Sequence, residues 1–290
     1  MPQPSNRNIA MIGFGEAGQA LVEGWGQEIA PRVAAYDLRA GDADLAAAAH
    51  RYAIELHHDP APALAHAQAA FCLVTADQAL AAAKTCAPFL PPGLVWYDGN
   101  SCSPGTKRRS AAVIEAAGGH YVDMAIMAPI RPKMNQTPAL LAGPYAEPAM
   151  QLLDGLAMNF DIAGLHVGDA SIIKMLRSVM IKGLETLTAE CLLAARRAGV
   201  EDDVLASLQA SDPGFDWPKR SANSLERIMV HGMRRAAEMR EVALTLRELG
   251  LPDRMAHATA HWQAQIGALG LPVEDGDLQS RLDAILAELQ

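Results

Sequence analysis

Six residues constrain this chain more than any others: Gly13-Phe14-Gly15-Glu16-Ala17-Gly18 follow the apolar run Ile9-Ala10-Met11-Ile12 and precede the helix-like Gln19-Ala20-Leu21-Val22. A G-x-G-x-x-G segment between a buried strand and a helix is the fingerprint of a crossover unit that holds a pyrophosphate. Gly13 permits the tight turn, Gly15 lets the backbone approach the anion, and Gly18 lets the helix pack closely. The helix N-terminus, with Glu16 and Ala17 in its first turn, offers amides to the anion. Asp37 lies 19 residues after Gly18, near the ~20 expected of a carboxylate that accepts ribose hydroxyls. It would repel a 2′-phosphate, so NAD is the expected cofactor. Arg39, two residues on, keeps NADP open if its guanidinium turns inward. Val74, Thr75 and Asn100 complete the expected cofactor contacts.

Short apolar runs alternate with alanine-rich helical stretches from residue 8 to 165. Strands are expected at Ile9 to Ile12, Val33 to Tyr36, Ala70 to Val74, Leu94 to Tyr97 and His120 to Val122, with crossovers between them and a parallel sheet. After Gly168 the pattern becomes helical. Ala170 to Ala198 has no proline and carries Ile172, Leu176, Val179, Met180, Leu184 and Leu187 at helical spacing. Gly199 is the expected stop, Pro213-Gly214 and Pro218 interrupt the next segment, and a further helix is expected from near Leu225. Asp277 to Leu289 forms a last amphipathic stretch. The expected class is α/β: a Rossmann-type doubly wound sheet over residues 1–166, then an all-α domain over 167–290.

The 290 residues are half hydrophobic and one-fifth charged, which suits one or two globular domains. A net charge of -9 and an aromatic fraction of 5% argue against a nucleic-acid partner. No apolar run approaches the ~20 residues of a spanning helix. The polar start MPQPSNRNIA does not resemble a signal peptide, so a cytoplasmic chain is expected. Cys72, Cys86, Cys102 and Cys191 form no CxxC pair and are expected to be reduced.

Four places resemble the β-hydroxyacid dehydrogenases related to 6-phosphogluconate and 3-hydroxyisobutyrate dehydrogenases. The first is the glycine fingerprint. The second, Asp98-Gly99-Asn100-Ser101-Cys102-Ser103-Pro104, is similar to D-x-S-T-x-x-P. The third, Asp123-Met124-Ala125-Ile126-Met127-Ala128-Pro129, lies where that family has D-x-P-V-S-G-G. The fourth, Gly168-Asp169-Ala170-Ser171-Ile172-Ile173-Lys174-Met175-Leu176-Arg177-Ser178, is similar to G-x-G-x-x-x-K-x-x-x-N. The resemblance implies that Lys174 is the general acid/base, assisted by Ser178 at the Asn position, and that Ser101, Met127 and Ala128 meet the substrate. An amine on an apolar helix near Arg177 can have its pKa lowered toward neutrality. The bland alternative is a lysine snorkelling from an amphipathic helix.

Two departures stand out. Ser178 keeps the helical face of Lys174 but offers a hydroxyl in place of an amide. Met127, Ala128 and Pro129 replace a serine and two glycines, and Pro129 has no amide to donate. A more apolar or differently anchored substrate follows. Candidate carboxylate anchors are Arg131 with Lys133, Arg177, and the cluster His231, Arg234 and Arg235. The C-terminal half looks like a subgroup whose helical domain carries no assigned function. His257 and His261 lack a third metal ligand, and Ser101-Cys102-Ser103 lacks a hydrolase elbow, so no metal is expected. The expectation is an NAD(P)-dependent oxidoreductase acting on CH–OH/C=O of a small hydroxy or oxo acid, dimeric through its helical domain. The alternatives are an imine reductase-like enzyme and a dinucleotide-sensing protein without turnover.

Overall fold

Period-two alternation explains the first layer. In β1 (Ile9–Ile12), Ile9 and Met11 point to one face, Ala10 and Ile12 to the other, and all four are buried, as in a parallel strand covered on both sides. The computed structural model describes residues 8–272 and 277–289. After β1 come α1 (Glu16–Ile29), β2 (Val33–Tyr36), α2 (Ala43–Arg51), β3 (Glu55–His57), α3 (Pro60–Leu64), β4 (Ala69–Cys72) and α4 (Ala79–Cys86). Then follow β5 (Val95–Asp98), α5 (Pro104–Ala116), β6 (His120–Ile126), β7 (Ala139–Ala142), α6 (Ala146–Gly155) and β8 (Phe160–Gly164). Helices occupy the rest: α7 (Asp169–Ala198), α8 (Glu201–Ser211), α9 (Trp217–Glu248), α10 (Arg254–Ala268) and α11 (Leu278–Glu288).

The sheet order is β3-β2-β1-β4-β5-β6-β7-β8. Strands β1 to β6 are mutually parallel, whereas β7 runs antiparallel to β6 and β8 lies parallel to β7. The connection reverses between β1 and β4, so loops after these strands open a crevice at their carboxyl ends. This is the expected doubly wound sheet followed by helices, with three strands the apolar runs did not reveal. Glu55–His57 is a short, partly exposed edge, Phe160–Gly164 has an exposed middle, and Ala139–Ala142 fits a helix or a strand equally.

The chain divides into two compact units between Met175 and Leu176, within α7. In the first unit, Phe71 stacks on Tyr97 with ring centroids 4.8 Å apart, and Trp25 packs tilted against Phe71 at 5.2 Å. Trp96 and Tyr121 fill the opposite face of the sheet. Burying such a ring fully contributes ~1.5–3 kcal/mol, so these residues fix the two layers.

The second unit packs Leu192, Leu225, Ile228, Ile266, Leu282 and Ile285 into its own core. Helix α9 starts at Trp217, earlier than expected, because Pro218 occupies the first turn, where a missing amide costs nothing, and Asp216 accepts from the Lys219 amide at 3.2 Å. Helices α9 and α10 cross with backbones touching at Gly232 and Gly267; a Cβ on Gly267 would lie 2.7 Å from the Met233 amide nitrogen. No helix among the described residues is long and apolar enough to cross a membrane.

This crossing gives a prediction with a diagnostic sign. Helix propensity alone has Gly232→Ala gaining up to ~1 kcal/mol. A Cβ there would run into the Gln263 carbonyl, so denaturant unfolding should instead show a loss of ~1–3 kcal/mol.

Candidate dinucleotide and acid-base site

The glycine turn closes as its residues require. Gly13 has a φ of +89°, and a Cβ there would sit 2.5 Å from the Leu73 carbonyl oxygen, so only glycine lets the β1 and β4 loops approach this closely. Its amide donates to the Tyr36 carbonyl at 2.8 Å. A Cβ on Gly18 would meet the Gly13 carbonyl oxygen at 2.7 Å. Gly15 differs, because a Cβ on it would meet nothing within 4 Å. It begins α1, whose N-terminus has no side-chain cap. An uncapped helix start beside an open glycine suits a pyrophosphate, so the residues fit a dinucleotide.

Asp37 binds this loop to β2. Its Oδ2 accepts from the Phe14 amide at 2.8 Å, and its Oδ1 from the Arg39 amide at 2.9 Å. The carboxylate is thereby held at the carboxyl end of β2, beside the glycine turn. Phe14 is buried, its ring edge-on to Tyr52. Glu16 is exposed and Ala17 half-buried. Arg39 is exposed, with its Nε 3.8 Å from Asp42. Val74 is half-buried and Thr75 exposed. Asn100 joins the next loop, its Oδ1 accepting from the Val74 amide at 2.7 Å.

Beneath Asn100 lies a charge cluster that the sequence reading missed. Asp98 and Asp123 end up side by side on β5 and β6, both buried. The fully buried Lys107 of α5 sets its Nζ 3.1 Å from Asp98 Oδ1 and 3.2 Å from Asp123 Oδ1. Burial works against the ammonium, yet the two carboxylates outweigh it and hold Lys107 above the ordinary lysine value. Asp98 Oδ1 also accepts from the Asn100 amide at 3.0 Å and from its Nδ2 at 2.7 Å, while Oδ2 accepts from the Tyr121 hydroxyl at 2.7 Å. Burial first, then Asp98, push the Tyr121 phenol well up.

The other oxygen of Asp123 reaches the start of α7. Its Oδ2 accepts from the Gly168 and Ser171 amides, each at 3.1 Å, and from the Ser171 hydroxyl at 3.0 Å. Asp123 therefore caps, from a neighbouring strand, the helix that carries Lys174. Three of the four resembling segments meet in one hydrogen-bonded cluster, and Asn100 ties it to the first through the β4 loop. An aspartate on each of two successive strands, Asp98 at the end of β5 and Asp123 in the middle of β6, with a lysine in the intervening helix, is the signal that was there to find.

The substrate candidates are spread more widely. Lys174 is half-buried, Arg177 exposed and Ser178 buried along α7. Ser101 and Met127 are half-buried and Ala128 exposed. The Met127 amide donates to the Pro138 carbonyl at 2.8 Å. Arg131 pairs with Glu23 on α1 at 2.9 Å, and its bond with that of Tyr52 draws the Glu23 carboxyl below its usual range. In the second unit Arg235 is buried and donates to Glu185, whereas Arg234 is exposed and His231 half-buried. The His257 and His261 rings lie 4.5 Å apart, tilted against each other, on the exposed side of α10. Among the described residues no group of three His, Cys, Asp or Glu is placed to hold a metal. All four cysteines are unbridged, and burial pushes the Cys86 thiol up to about 12.

Loop, sheet and strand-end aspartate define a nicotinamide-dinucleotide-binding chain. Residues 8–147 match the family described as the NAD binding domain of 6-phosphogluconate dehydrogenase, and residues 195–266 match a domain of unknown function, DUF1932. A conserved hypothetical protein from Sinorhizobium meliloti 1021 is 38% identical, with a TM-score of 0.72 and coverage of 99% of this chain and 98% of that one. The conserved protein MTH1747, of unknown function and described as structurally similar to 3-hydroxyacid dehydrogenases, is 28% identical, with a TM-score of 0.65 and coverage of 91% and 100%. A 3-hydroxyisobutyrate dehydrogenase from Salmonella typhimurium shares the fold at 16% identity, with a TM-score of 0.71 and coverage of 95% and 99%. The chain belongs to the 3-hydroxyacid dehydrogenase-like family, in the subgroup whose NAD-binding domain precedes a C-terminal domain of unassigned function.

Gly15 and Gly13 separate ligand approach from folding. Gly15→Val should leave the melting temperature within about 2 °C while weakening NADH at least ~10-fold by fluorescence titration, a loss of ~1.4 kcal/mol. Gly13→Ala should instead cost ~1–3 kcal/mol of unfolding free energy.

Proposed function

We propose that the chain is an NAD(P)-dependent oxidoreductase that interconverts the CH–OH and C=O of a small hydroxy or oxo acid, with Lys174 as general acid/base. The observation that carries the reading is Asp123. From the strand next to the Asn100 loop it caps the helix on which Lys174 lies in the second turn. Gly13 to Gly18, Asp37, Val74, Thr75 and Asn100 would hold the cofactor. Asp37 would favour NAD, and the exposed Arg39 admits NADP. When bound, the nicotinamide supplies a hydride acceptor or donor.

In the oxidative direction the carbinol C–H bond breaks with its electron pair leaving as hydride, and the amine of Lys174 takes the hydroxyl proton as the C=O bond forms. Reduction reverses both transfers. Ser178, one helical turn beyond Lys174, and Ser101 would orient the reacting oxygen or the neighbouring carboxylate. Arg131 and Arg235 are each engaged with a carboxylate of this chain. Lys133 and Arg177 are exposed cations of the candidate group, and a substrate carboxylate is assigned to these.

A second reading, dinucleotide sensing without turnover, draws on the third segment, where the Met127 amide is already bonded and Pro129 has none. Lys174→Ala decides between them in a panel of hydroxy acids followed by NADH absorbance. The expected result is a fall in kcat of ~10²- to 10⁴-fold with NADH affinity unchanged. Turnover within a few-fold of wild type would remove Lys174 from the mechanism, and NADH binding with no oxidation of any acid would favour the sensor.

The reading includes a homodimer. Ile173, Leu176, Met180, Leu184 and Leu187 are exposed along α7, and their spacing of 3, 4, 4 and 3 residues reads the same in both directions. A second copy laid antiparallel about Met180 meets the same pattern, as a two-fold interface requires. Light scattering should give twice the monomer mass, and Met180→Asp the monomer. A monomeric wild type would remove the dimer.

A further inference from the structure

We propose that Lys107 is a positioning residue that locks the first turn of α7, and with it Lys174, to the Asn100 loop. The inference rests on reading Lys174 as the acid/base group, but its geometry stands apart from that reading. Lys107 is on neither loop. Its ammonium sits between two carboxylates whose remaining bonds go in opposite directions. Asp98 turns to the Asn100 amide and Nδ2 at 3.0 and 2.7 Å, and Asn100 in turn holds the Val74 amide at 2.7 Å. Asp123 turns to the Gly168 and Ser171 amides at 3.1 Å.

The shared ammonium is what lets both aspartates keep these roles. They stand opposite each other in the β5–β6 ladder, where like charges repel, and both are buried. Without the cation, the repulsion between the two facing carboxylates is unopposed and drives their side chains apart. An Asp123 that turns away from Asp98 no longer holds its Oδ2 opposite the Gly168 and Ser171 amides of the helix start. The helix start would then lose its tie to β6, while the glycine turn, anchored separately by Asp37 and Tyr36, would stay.

Hydrogen exchange on the full chain tests this. In Lys107→Met, which keeps the reach and removes the charge, the amides of residues 168 and 171 should exchange at least ~10-fold faster, with β1 still protected. Should that variant fold poorly, Asp123→Ala removes the cap directly and should expose the same two amides. Unchanged exchange at both residues in the variant that folds would overturn the tether. With a turned-over acid in hand, Lys107→Met should lower kcat at least ~10-fold and leave the KM for the nucleotide within about threefold. Faster exchange with unchanged kcat would overturn the positioning role. Absence of turnover in the wild type would count against the proposed reaction alone, and the exchange experiment would then decide whether Lys107 locks α7.

Discussion

One ammonium between carboxylates on two adjacent strands sets the geometry on which the rest of the first unit depends. Lys107 can neutralise only one of Asp98 and Asp123, so the second negative charge must be met by dipoles. Tyr121 supplies a hydroxyl, Asn100 an amide and a carboxamide, and the start of α7 supplies two amides and the Ser171 hydroxyl. A helix N-terminus carries roughly half a positive charge, which makes α7 part of the charge balance. Buried ion pairs of this kind add little net stability compared with apolar residues of the same shape, yet removing one member costs ~3–5 kcal/mol. Their effect is to specify one arrangement: β5, β6, α5 and the first turn of α7 satisfy these groups only together.

The dinucleotide half was readable because its requirements are local. A tight turn, a close approach and a strand-end acid each demand a residue type at a fixed offset, so Gly13, Gly15, Gly18 and Asp37 are legible without knowing what packs around them. The strand runs with both faces buried were equally plain. What escaped was decided at longer range. The edge strand Glu55–His57 has no apolar run because one side is open, and β7 reverses direction for reasons its four residues do not contain. Lys107 escaped because a lysine followed by two arginines looks like solvated charge. Only the register that sets Asp98 against Asp123 shows why this one turns inward.

The second unit repeats that lesson with the opposite sign. His231-Gly232-Met233-Arg234-Arg235 reads as a run of positive charge, but α9 sorts it by face. Gly232, Arg235, Met239 and Val242 are buried at helical spacing, while Met233 and Arg234 face outward. Arg235 therefore lies on the packed stripe and is paired with Glu185, which Gln263 of α10 also contacts. Lys182 and Glu238 form a second inward pair, and burial lowers the Lys182 pKa despite the carboxylate. Helical periodicity assigns these residues better than charge density does.

The third segment bears most directly on substrate chemistry. A backbone cradle for a carboxylate needs successive amides free to converge on it, and here the Met127 amide is bonded to Pro138 while Pro129 has none to offer. The residues that follow are used as scaffold. Arg131 reaches Glu23 of α1, Asn135 donates to the Leu156 and Ala157 carbonyls, and Thr137 donates to the Ile130 carbonyl. Gly24 of α1 is glycine because a Cβ would collide with Met134 and Asn135. A stretch bound this closely to α1 has little left to give a ligand. In the proposed reaction, recognition of an acid substrate would fall on guanidinium or ammonium side chains, which can take a carboxylate through charged and, for arginine, two-pronged contacts. That is the physical sense in which this chain departs from the pattern it resembles, which has two glycines at this place.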